Sequence, residues 1–184
     1  MSGPVRASRI PHIPPEDLSD AQTQLLARVA HGRRRVPTPF RIWLHHPDLG
    51  ERLRELGEVL SQPTKLTDAQ TRLAILLLAR RWHATYVFSM HAREARKAGL
   101  SDAVIEALRD GREPPLSNAD DRLVYALAAS FAAAEPTSDD LFARATSVLG
   151  HDGIAELLAL TGYFTAVALA MKLYQVPVPD DAGE

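Results

Sequence analysis

Side chains able to do acid–base or anion chemistry cluster between Arg80 and His91. His91 is the strongest catalytic candidate, because imidazole titrates near neutral pH and can give or take a proton. Tyr86 supplies a hydroxyl that could orient a substrate or donate a proton. Arg80 and Arg81 could hold a carboxylate, best as a bidentate pair, and His83 joins them as a substrate-binding candidate. A plainer alternative stands beside this one: His91 is a core histidine satisfied by one hydrogen bond, and the arginines are a polar helix end. No metal is assigned. On an unbroken helix His83 and His91 would lie about 12 Å apart, whereas zinc ligands each sit about 2 Å from the ion. His45 and His46 are adjacent and would point about 100° apart on a helix. No cofactor is expected.

These residues need two helices to position them. Thr67 and Gln70 form a capping-box pattern that starts the first, and the spacing predicts it over Thr67–Arg80. Leu73, Leu76, Leu77 and Arg80 share one face, while Ala74, Ile75, Leu78 and Ala79 make the remainder apolar. Such a helix belongs inside a core or an oligomer. The second is predicted over Thr85–Ala98, with Gly99 at the left-handed position beyond its end. Tyr86, Met90 and Arg93 share one of its faces, and Val87, His91, Glu94 and Ala95 the next.

The run LAILLLARRWHATYVFSMHAREARKAGLSDAVIEAL and the later AELLALTGYFTAVALAMKLYQVPVP resemble the carboxymuconolactone decarboxylase family, which includes the alkylhydroperoxidase D-like proteins. The resemblance spans Pro37 to Pro179. It implies an all-α fold, an alkylhydroperoxidase D-like helical bundle, assembling as a dimer, trimer or hexamer. In the family's peroxidase branch a Glu precedes a Cys-x-x-Cys-x-x-x-His motif. With the family histidine on His91, the cysteines fall on Ala84 and Val87 and the Glu on Arg72. The chain contains no cysteine, so thiol-based peroxide chemistry has no nucleophile. The decarboxylase branch resembles this stretch too, with a Glu one helical turn before the histidine; here that position is Val87. The resemblance therefore implies thiol-free, lyase-type or related acid–base chemistry on a small carboxylated or lactone-like molecule. The alternative is a non-catalytic oligomeric binding or structural module on the same scaffold.

The 184 residues suit one domain with a sizeable core. A formal charge of −2 leaves no basic footprint for nucleic acid. The longest apolar stretch, Leu157 to Met171, falls short of the about 20 residues a membrane span requires. No basic start followed by a long apolar run is present, and the expectation is a soluble cytoplasmic protein. Residues 1–14 read as an extended arm rich in proline, 15–175 as the helical domain, and 176–184 as an extended tail.

Within the domain, Ser19 and Gln22 repeat the capping-box pattern, and LSDAQTQL echoes LTDAQTRL. That is either a duplicated unit or one capping solution reached twice. A helix follows to Ala30, with Gly32 as its stop and Arg33, Arg34 and Arg35 as either an anion site or a solvated helix end. A short helix FRIWLHH is closed by Pro47. Asp48–Leu60 reads as amphipathic, with Leu49, Leu53, Leu56 and Leu60 inward and Gly57 allowing close packing. Further helices are expected from Ser101 to Gly111, over Ala119–Ala134, Asp139–Leu149 and Asp152–Tyr174.

Overall fold

The computed structural model describes residues 8–31, 36–62, 65–133 and 136–178, and these are all-helical, with no strand among them. Gly32, the Arg33–Arg35 triplet and the outer parts of both termini lie outside the described residues. After a 3-10 turn at Pro15–Asp17 come α1 (Asp20–Ala30), α2 (Thr38–Trp43), α3 (Pro47–Val59), α4 (Asp68–Arg81), α5 (Thr85–Lys97), α6 (Asp102–Asp110), α7 (Ala119–Ala133) and α8 (Asp139–Leu173).

α4 is the axis of the bundle. Leu73, Ala74, Ile75, Leu76, Leu78 and Ala79 are each 0–1% exposed. A helix apolar on every side is stable only when it is surrounded, and α5, α6, α7 and α8 surround it. Both capping boxes form: Ser19 with Gln22 starts α1, and Thr67 with Gln70 starts α4. Each glutamine also makes a tertiary bond. Gln22 Nε2 donates to the Leu44 carbonyl at 3.0 Å, and Gln70 Nε2 to Asp121 Oδ1 at 3.1 Å. The chain reverses between α4 and α5 through His83, whose φ of 52° lies in the left-handed region that non-glycine residues seldom adopt.

Two expectations change. Pro47 does not end a helix but begins α3, where its missing N–H costs nothing. His46 is the cap, its Nδ1 accepting from Leu49 N at 3.4 Å. Leu49 is 44% exposed rather than inward. α3 instead turns Gly50 into the bundle, where a Cβ would come within 2.6 Å of Leu25. Gly57 admits the Tyr163 hydroxyl, which would lie 2.7 Å from an added Cβ.

α8 is two helices joined at Gly150, whose φ of 69° and ψ of 174° break the helical path. Only glycine adopts that conformation without strain. Against the expectation that its apolar stretch falls short of a span, α8 is long and apolar enough to cross a bilayer by length and composition. Here Leu157, Leu160, Ala168 and Met171 are buried in the main core. A second, smaller cluster of Leu25, Val29, Phe40 and Leu44 sits under α1 and α2, with Trp43 touching both clusters.

Candidate functional site

α4 and α5 bring Arg72 against His91. Arg72 Nη1 lies 3.1 Å from His91 Nδ1, and Arg72 Nε donates to Asp68 Oδ1 at 3.1 Å, one turn earlier on α4. α8 supplies Phe164, which meets the imidazole edge-to-face at 5.1 Å between ring centres, with Tyr163 edge-on behind it at 5.3 Å. All four side chains line an open cavity of about 1220 Å³ bordered by α2, α3, α4, α5, α8 and the end of α1.

The contact sets the proton positions. A guanidinium has only donors, so His91 Nδ1 must accept and Nε2 carries the hydrogen of a neutral ring. Burial and then the charge of Arg72 push the His91 pKa down to about 4, against a smaller opposing pull from Glu94. Glu94 is itself held below the usual carboxylate range, chiefly by its hydrogen bond from Lys97. Among the described residues, the remaining charges at the cavity are paired. Arg54 forks onto Glu51 and also reaches Glu58, and Arg28 meets Glu51 at 3.0 Å. Those bonds to Glu51 and Glu58 raise the Arg54 pKa.

The site residues expected from sequence separate into two groups. His91 and Tyr86 both line the cavity. The Tyr86 hydroxyl donates to Thr38 Oγ1 at 2.8 Å, so it ties α5 to α2 and keeps only acceptor capacity for a ligand. Arg80, Arg81 and His83 do not line the cavity. Arg80 Nη1 lies 3.2 Å from His83 Nδ1, and Arg81 Nε donates to the Ala132 carbonyl at 3.1 Å. The reason is helical geometry: Arg80 lies two turns beyond Arg72, about 12 Å along α4. The cation beside His91 is Arg72, the position on which the resemblance places the peroxidase branch's Glu. Ala84 and Val87, where the resemblance would put cysteines, are 3% and 2% exposed and apolar.

No protein-family model and no curated protein matches the sequence. Solved structures do match in fold. One, titled alkylhydroperoxidase AhpD core, an uncharacterized peroxidase-related protein from Ralstonia eutropha JMP134, superposes with a TM-score of 0.77 at 16% identity, covering 99% of this chain and 96% of that one. Another, an uncharacterized peroxidase-related protein from Silicibacter sp. TM1040, gives a TM-score of 0.78 at 15% identity, covering 100% and 97%. The chain thus has the alkylhydroperoxidase D-like fold, without the cysteines of the peroxidase motif.

Proposed function

We propose that this chain binds a small carboxylate-bearing molecule against Arg72 and His91 and carries out thiol-free, lyase-type chemistry on it. The observation that carries the reading is the Arg72–His91 contact at the wall of a large cavity. A ring held neutral does not suit a general acid or base working near neutral pH. It suits a fixed N–H donor. His91 Nε2–H and Arg72 Nη2 are then two donors for a carboxylate or for an oxygen on which charge develops. In a decarboxylation, Arg72 would hold the carboxylate, and the electron pair of the breaking C–C bond would pass to a conjugated carbonyl oxygen held by His91 Nε2–H. Carbon dioxide would leave, and water would return a proton to carbon. Tyr86, tethered to Thr38, would orient the substrate as an acceptor.

The test is equilibrium binding of a panel of small carboxylates and lactones to the wild type and to Arg72→Met. Loss of a charge-assisted hydrogen bond should weaken carboxylates by about 10- to 100-fold. Equal binding by both proteins, or no binding by the wild type, would sink the reading.

Assembly into a small homo-oligomer, a dimer, trimer or hexamer, belongs to the same reading. Leu158, Gly162, Thr165, Leu169 and Leu173 follow one side of α8 at helical spacing, and the three leucines are 49%, 42% and 67% exposed. A continuous apolar helix face of this kind is characteristic of a buried contact. Sedimentation of the wild type should show an oligomer at micromolar concentration, and Leu169→Glu with Leu173→Glu should shift it to the monomer. A wild-type monomer under those conditions would argue against self-association.

A further inference from the structure

The cavity is larger than a small lactone or dicarboxylate needs. Its volume of about 1220 Å³ exceeds the usual 300–1,000 Å³ of small-molecule sites. The apolar part of its wall comes from two clusters, and the rest from polar and charged side chains such as Ser61, Thr71 and Ser89. Leu66, Ile75 and Val167 belong to the main core, and Val29 and Phe40 to the cluster under α1 and α2. Val36 packs on the second cluster and lines the cavity as well. The space is therefore a seam between two cores, and an apolar occupant would extend the contact that Trp43 makes between them.

The charges at the cavity set the number of anionic groups. Arg54 is committed to Glu51 and Glu58, Arg28 to Glu51, and Arg93 lies 4.0 Å from Glu94. Arg72 differs, because Asp68 takes only its Nε and its Nη1 meets a histidine nitrogen rather than a carboxylate. One anchor of this kind fits one carboxylate. Among the described residues the other arginines at the cavity, Arg28, Arg54 and Arg93, already face carboxylates, so a second carboxylate would compete with Glu51, Glu58 or Glu94 for them or lie against apolar side chains, at a cost in repulsion or desolvation.

We propose that the ligand is an amphipathic monocarboxylate, its carboxylate on Arg72 and His91 and its apolar body lying in the seam between the main core and the α1–α2 cluster. This rests on the carboxylate reading above and adds to it the size and the single charge of the ligand.

The experiment is calorimetric titration of the full chain with butyrate, hexanoate, octanoate and decanoate below their micelle concentrations, and with decanedioate. Each methylene that enters the seam should tighten binding by about three- to fourfold. Decanoate should bind more tightly than decanedioate, because among the described residues the cations other than Arg72 already face carboxylates. Val36→Phe places a ring in the seam. It should weaken decanoate by about tenfold or more and leave butyrate unchanged, with the fold checked by circular dichroism. Arg72→Met should weaken every chain length by the same factor. Affinity independent of chain length but still dependent on Arg72 would overturn the seam while leaving the carboxylate reading intact. Affinities that Arg72→Met leaves unchanged at every chain length would overturn both, as would the absence of any binding. Decanedioate binding as tightly as decanoate would overturn the single-charge assignment.

Discussion

Replacing His91 with alanine should slow turnover of a carboxylate substrate by about 10²–10³-fold, the loss typical of removing one donor to a developing oxyanion. The His91→Gln variant should recover part of that loss. A glutamine side chain offers a carbonyl oxygen to Arg72 and an amide N–H to the ligand, so it reproduces both hydrogen bonds of a neutral imidazole but cannot exchange protons. A general acid–base role would make Gln as inactive as Ala. The pH profile separates the same two roles. Because kcat/KM reports the ionisations of the free protein, and His91 is held near pH 4, no inflection should appear near 6.5. An inflection there that disappears in His91→Gln would restore the acid–base assignment. The alanine variant should also melt at a lower temperature, since it removes the acceptor of Arg72 and the edge-to-face partner of Phe164.

Stability should fall as the pH drops from 7 to 5, by about 2 kcal/mol on account of His91 alone. The sign follows from the two pKa values. The folded value is about 4 against an ordinary 6.5, so between them the unfolded chain binds more protons than the native one. The stability linked to the neutral ring is therefore complete above about pH 6.5, declines as pH falls, and is fully lost below about pH 4. Glu51, Glu94 and Asp152, whose pKa values are also lowered, act in the same direction but at lower pH, in the carboxylate range. Denaturant unfolding at pH 7 and pH 5 for the wild type and His91→Gln isolates the histidine. The wild type should lose about 2 kcal/mol more than the variant. Equal losses would mean that the folded-state ring is not held neutral.

The sequence by itself determined the helices and their ends. Capping boxes, left-handed glycines and apolar periodicity are local signals, and Thr67 with Gln70, Gly99, Gly111 and the enveloped α4 all follow from residues within a few positions of one another. It also determined which chemistry is missing, since a chain without cysteine cannot form a thiolate anywhere. Where a local signal was ambiguous, the outcome depended on packing. Pro47 serves equally to stop one helix or start the next, and Leu49 falls outward because Gly50 takes the inward place against Leu25. The site was legible only in part. His91 and Tyr86 reach the cavity, but the cation beside His91 is Arg72 and not Arg80 or Arg81. Nearness in sequence favoured the later arginines, whereas nearness in space is set by the reversal at His83, which lays α5 back along α4. The neutral state of the imidazole was also decided in three dimensions. It arises from burial beside Phe164 and from a guanidinium on another helix, and the seam that this pair opens onto exists only where two separately packed clusters meet.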